Sequence, residues 1–188
     1  MKCVHLNDVD LSDSTISLTG VNAARVTNCV FSRLEHYEGN LDICASKIGR
    51  VKSDSSGTSV KIFICESEIP MSHLSAVDGE IVFTENESEK CVITSKNAQV
   101  FIQDKGLGGV YCVDTHSGDV HVKKHARDGR GESVPFYYVK THTGNVSVTG
   151  GRETDDDNVC ITDSGKVQYT LEEDEKKNSK KMKQDEQT

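Results

Sequence analysis

His116 and His142 occupy the same place in two near-identical octapeptides, THSGDVHV at 115–122 and THTGNVSV at 141–148. A weaker third copy, TDSGKVQY at 162–169, puts Asp163 at that place. Two neutral imidazoles and a carboxylate suit Zn2+, so His116, His142 and Asp163 are the metal-ligand candidates of this chain. The same positions have a plainer reading. A corner that faces water keeps polar residues, and duplication of a repeat copies whatever stands there. The sequence offers no obvious fourth ligand, and no cofactor is expected. The other histidines (His5, His36, His73, His121 and His125) share no spacing and are expected at the surface.

Other reactive groups give weaker signals. Seven cysteines (Cys3, Cys29, Cys44, Cys65, Cys91, Cys112 and Cys160) lie singly, with no C-x-x-C among them. They read as reduced thiols serving as small apolar fillers. The acidic run Asp155-Asp156-Asp157 lies in a Gly-rich stretch but lacks the alternating ligands of a calcium loop. Carbohydrate chemistry needs two converging carboxylates, commonly above aromatic platforms. The chain has no Trp, and its five Tyr do not recur at one repeat position. Tyr137 and Tyr138 are adjacent and should point to opposite faces. No G-x-S-x-G, phosphate loop or H-E-x-x-H is present. A non-enzymatic interaction or scaffold role is therefore the first functional reading, with a carbohydrate-active or metal-dependent enzyme on a β-helix as the alternative.

The two octapeptides belong to a longer series. A small residue followed by an alternating apolar pattern recurs at Gly39-Asn-Leu-Asp-Ile, Gly79-Glu-Ile-Val-Phe, Ala98-Gln-Val-Phe-Ile, Gly118-Asp-Val-His-Val, Gly144-Asn-Val-Ser-Val and Gly165-Lys-Val-Gln-Tyr. Gly57-Thr-Ser-Val-Lys-Ile fits with one extra residue, as a bulge would require. The anchors are 18 to 26 residues apart. A second phrase precedes the later ones: Cys91-Val-Ile-Thr, Cys112-Val-Asp-Thr, Tyr138-Val-Lys-Thr and Val159-Cys-Ile-Thr. TISL at 15–18 and ARVTNCV at 24–30 look like fainter copies.

Each unit therefore reads as strand, tight turn, strand. A four-residue strand cannot stand alone, but stacked coils pair it with its copies above and below, ~4.8 Å away. This predicts an all-β fold: a right-handed parallel β-helix, or β-solenoid, of about 7–8 coils. A β-sandwich is the structural alternative. Leu41/Ile43, Val120/Val122, Val146/Val148 and Val167/Tyr169 should point inward. Asp42, Lys61, His121, Ser147 and Gln168 should form an outward polar column. Glycine at the corner is expected for its freedom at positive φ. The longest insertion, 123–134, is expected as a solvated loop.

The solenoid is expected over 1–171 as one domain. A charged tail over 172–188, EEDEKKNSKKMKQDEQT, is too polar to order itself. A net charge of −8 argues against general affinity for nucleic acid or anionic membrane. No apolar run approaches the ~18 residues of a membrane span. MKCVHLNDVDLSD carries no apolar h-region, so the N-x-S matches at Asn86 and Asn145 count only if a longer chain begins upstream. The default compartment is the cytoplasm, with mitochondrial or secreted alternatives if an N-terminal segment is missing.

The S/T-G-D/N-V-x-V phrase, clearest in Thr115–Val122 and Thr141–Val148, resembles the β-strand repeat of an adhesin-type domain family. That adhesin label is itself an analogy. The animal members called "family with sequence similarity 185" look nearest. The resemblance covers residues 75–170 and is degenerate over 1–74. It implies a right-handed parallel β-helix with a binding or scaffold role, and no catalytic residues. Strand-like pattern begins within three residues of Met1, leaving no room for a cap. A short or truncated form is the expectation, with a partner or a second copy at that end as the alternative.

Overall fold

A computed structural model describes residues 2–57, 59–105, 108–124, 135–150 and 158–170. They form seventeen strands and no helix. One sheet holds the odd-numbered strands: β1 (Cys3–Asn7), β3 (Ala23–Thr27), β5 (Asn40–Cys44), β7 (Val60–Cys65), β9 (Gly79–Asn86), β11 (Gln99–Asp104), β13 (Val120–Lys123), β15 (Val146–Thr149) and β17 (Val167–Thr170). The other holds the even-numbered strands: β2 (Asp10–Thr19), β4 (Val30–Tyr37), β6 (Lys47–Ser55), β8 (Met71–Ala76), β10 (Lys90–Ser95), β12 (Val110–Thr115), β14 (Phe136–Thr141) and β16 (Asn158–Thr162). Every strand pairs in parallel with the strand two places along the chain. The fold is a right-handed β-solenoid of eight coils plus β17, as the repeat predicts. It is not a sandwich built from separate antiparallel sheets.

Side chains alternate along each strand, so every second residue enters the space between the sheets. Leu41, Ile43, Val120, Val122, Val146 and Val148 are buried as expected, and Val167 and Tyr169 are partly so. Leu34, Val51, Leu74 and Ile93 face them from the even sheet. Near the C-terminal coils the interior becomes aromatic. Tyr111 and Tyr137 do share a repeat position, against the sequence reading, and stack with ring centroids 5.0 Å apart, while Phe83 meets Tyr111 edge-on at 6.2 Å. Tyr137 is fully buried while Tyr138 is exposed, so the two do point to opposite faces.

Register corrects several expectations. Gly57 is not the anchor of its coil: Leu41 pairs with Ile62, and Val60 takes the corner position opposite Gly79. The slip is two residues, so the inward face is preserved. Lys61 therefore leaves the outward column. That column instead runs Arg25, Asp42, Phe63, Val82, Phe101, His121, Ser147, Gln168, and its middle is apolar. Cys91 pairs with Tyr111, one residue off the phrase alignment. An odd slip changes faces, so Cys91 is buried while Cys112, paired with Val92, lies on the outer side.

Glycine recurs at the corner for two reasons, of which one was expected: Gly39 and Gly79 do have positive φ, at 80° and 118°. Gly118, Gly144 and Gly165 do not have positive φ. A Cβ at Gly118 would lie 1.8 Å from the Ala98 carbonyl oxygen, and one at Gly144 would lie 2.2 Å from that of Gly118. The coils approach too closely there for any side chain. His36 is also misplaced by the sequence. The rung Leu18–His36–Ser53 faces inward, and His36 is fully buried. The 125–134 part of the insertion, His125, Asp155–Asp157 and the 172–188 tail lie outside the described residues.

Candidate functional site

The Thr-x-Ser/Thr-Gly corner is built from the inside outward. Thr115 and Thr141 are buried, because the corner closes the core. The Thr115 hydroxyl donates to the Gly118 carbonyl at 3.0 Å, and the Gly144 N–H donates to Thr141 Oγ1 at 3.0 Å. In the next coil the Gly165 N–H donates to Thr162 Oγ1 at 2.9 Å. Each threonine thus satisfies a backbone group that the turn would otherwise strand in a dry place. The following residue must then point out to solvent. That places His116, His142 and Asp163 on successive rungs.

The three do come together. The His116 and His142 rings lie 5.1 Å apart, tilted by 54°. His142 Nδ1 is 2.5 Å from Asp163 Oδ2. Both partners of that contact are well exposed, at 44% and 59%. Among the described residues no group of three or more His, Cys, Asp or Glu side chains is arranged to hold a metal. The Asp163 carboxylate is turned onto the His142 ring and does not share a centre with both imidazoles. As it stands, the ladder is a solvated stack of polar groups.

His5, His73 and His121 lie at the surface as expected. His36 does not: its Nδ1 lies 3.1 Å from Ser53 Oγ, and its buried Nε2 has no partner. Desolvation by burial lowers its pKa to about 4. The thiols at positions 91 and 160 are pushed up by burial, Cys91 to about 12. They suit core packing and not nucleophilic attack. Asn86, an N-x-S match, is buried and bonded to two backbone groups, so its amide is not free for attachment in the folded chain.

Two surface depressions among the described residues hold charges that are already paired. One of about 390 Å3 on the outer odd sheet is crossed by the Arg25–Asp42 ion pair at 2.8 Å. Another, of about 340 Å3, contains Glu68 paired with Lys47 and Glu87 paired with Lys105. No helix of the described residues is long and apolar enough to cross a membrane.

Sequence reasoning missed one surface. The outer face of β12, β14 and β16 carries Val110, Phe136, Tyr138, Val159 and Ile161, five of the nine large apolar side chains exposed among the described residues. They are in register: Val110 pairs with Phe136, and Cys112 with Tyr138 and then Val159. The apolar starts of Val110-Tyr-Cys-Val and Phe136-Tyr-Tyr-Val held that signal. A strand apolar at both phases is apolar on both faces.

No protein-family model matches this chain, and neither does any curated protein or solved structure. The reading of function rests on these surfaces.

Proposed function

We propose that this chain is a non-enzymatic interaction scaffold, a β-solenoid that presents the outer face of β12, β14 and β16 to a protein partner. The in-register cluster Val110, Phe136, Tyr138, Val159 and Ile161 carries the reading. Contiguous apolar surface on a stable framework costs solubility and marks contact sites far more often than isolated apolar residues do. The adhesin-type resemblance fits a binding role of this kind, and the paired charges in the depressions offer little to a reaction. A photo-crosslinking residue placed at Tyr138, and separately at His121 on the opposite outer face, tests the reading in the native cell. A discrete adduct from position 138 alone is expected. Equal adducts from both positions, or none from 138, would overturn it.

A second reading has its own observation. Val4, Leu6 and Ile16 in the first coil, and Val167 and Tyr169 at the other end, point inward yet are only partly buried. The outer edges of β1, β2, β16 and β17 pair with no strand among the described residues. Such edges are templates for addition of another strand, so end-to-end association of copies is the alternative. It requires mass in solution to rise with concentration, and a constant monomer mass would rule it out.

A further inference from the structure

Cys44 and Cys65 are 21 residues apart, one coil of this solenoid. They end β5 and β7 and are directly paired in the ladder between those strands. Parallel strands lie ~4.8 Å apart, within the ~4.4–6.8 Å between Cα atoms that a disulfide requires. Paired residues of a parallel ladder also share a face, so the two thiols point the same way. Their sulfurs lie 2.7 Å apart, both as free thiols. No other two of the seven cysteines are paired rungs among the described residues. Cys91 and Cys112 come nearest in the ladder, but one is buried and the other lies on the outer side.

We propose that Cys44 and Cys65 are a reversible redox site, closing to a disulfide that staples the third coil to the fourth. The oxidant is a low-molecular-weight disulfide of the glutathione type. Cys44 is the more exposed of the two and reacts first. Its thiolate attacks one sulfur of the oxidant, forming a mixed disulfide and releasing one small thiolate. Cys65 then loses its proton and attacks Cys44 Sγ, releasing the second small thiolate. One S–S bond forms in the protein and one breaks in the oxidant. Two electrons pass to the oxidant, and the two thiol protons end on the released thiols. The division of roles follows the surroundings. Burial first, then the Cys44 contact and the negative charge of Glu66 and Asp42, raise the Cys65 thiol to about 12. Cys65 is therefore inert until a sulfur electrophile stands beside it. The corner keeps that geometry from drifting. Ser67 Oγ donates to the Cys65 carbonyl at 2.7 Å, and Ser46 Oγ to that of Cys44 at 2.9 Å.

The test equilibrates the full chain in buffers of graded reduced-to-oxidised glutathione ratio, quenches with acid, alkylates free thiols and maps tryptic peptides. Lys47, Arg50, Lys52 and Lys61 lie between the two cysteines, so a linked pair of peptides is diagnostic. A Cys44–Cys65 peptide is expected to be the first and dominant protein disulfide. The oxidised chain should unfold at higher denaturant than the reduced chain. In Cys65→Ser, Cys44 should instead hold a mixed disulfide with glutathione. Should that variant fail to fold, the wild-type map alone still decides. Both thiols staying alkylatable throughout, or pairing preferentially with other cysteines, would overturn the proposal. So would an oxidised form less stable than the reduced one.

Discussion

The two halves of the solenoid hold the same register but fix opposite corners. In the N-terminal half the turn from odd to even strand is tight and left-handed. Asp8, Asn28, Ala45 and Glu66 there, and Glu85 in a bulge at the end of β9, all adopt positive φ, between 49° and 56°. Non-glycine residues disfavour that region by roughly 1–2 kcal/mol. The residue after each turn from Asn28 to Glu85 compensates from inside. The Cys29 N–H donates to Ser46 Oγ, the Ser46 N–H to Ser67 Oγ and the Ser67 N–H to Asn86 Oδ1. All four of these residues are buried. In the C-terminal half this ladder ends, and the opposite corner becomes regular through Thr115, Thr141 and Thr162 with Gly118, Gly144 and Gly165. One half is pinned by side-chain hydrogen bonds along the stack. The other is pinned by backbone so close that side chains are excluded, a closeness that Gly39 and Gly79 share in the first half but that there is not repeated from coil to coil.

The largest expected effect breaks the second kind of corner. Gly144→Ala would put a methyl 2.2 Å from the Gly118 carbonyl oxygen, which is backbone and cannot swing aside. A loss of about 3 kcal/mol or more is expected in chemical denaturation. Gly20→Ala, with nothing within 4 Å but a φ of +62°, should cost only about 1 kcal/mol. Equal losses at the two sites would mean that conformation, and not approach, sets the corner.

Acid should weaken the N-terminal half next. His36 is lowered to about 4 in the fold, against ~6.5 when unfolded. Below pH 6.5 the unfolded chain binds a proton that the folded chain refuses. The stability present above pH 6.5 is therefore lost as pH falls towards 4, by at most about 3 kcal/mol. Unfolding midpoints across that range should fall for the wild type and fall less for His36→Leu.

A smaller loss, about 2 kcal/mol, is expected for Asn86→Ala, which strands the buried Ser67 N–H and the Ile64 carbonyl. Amide hydrogen exchange should quicken at Ser67 while the Thr141 corner keeps its protection. Loss of protection at both corners together would show that the halves are not separately fixed. The smallest effect belongs to the exposed ladder. Asp163→Asn should change stability by under about 0.5 kcal/mol, because the His142 contact lies in water.

The contrast also explains what the sequence could tell. A glycine that close contact requires tolerates no side chain in its place, so the Thr-x-x-Gly corners are written almost identically and the repeat is visible from residue 75 onward. The left-handed corners accept Asp, Asn, Ala or Glu, and their inner ladder accepts Cys, Ser or Asn. The N-terminal coils are equally regular yet look degenerate as text. His36 was misjudged because a lone histidine carries no phase, and Gly57 because a two-residue slip leaves the alternation unchanged. The Cys44–Cys65 pairing was available from spacing alone, once the coil length was applied to cysteines as well as to glycines. The His116–His142–Asp163 stack was legible in placement. The direction in which each side chain turns was not.

The difference between corners has one more consequence, for what the fold can carry. From β12 onward, four residues join every even strand to the next odd one, whereas twelve separate Lys123 from Phe136 and eight separate Thr149 from Asn158, where the next even strands begin. Chain length is thus free to vary on one side of the C-terminal coils without disturbing their pitch. Foreign peptides grafted on that side would be displayed at a fixed vertical spacing, which makes these coils a natural ruler for building multivalent arrays.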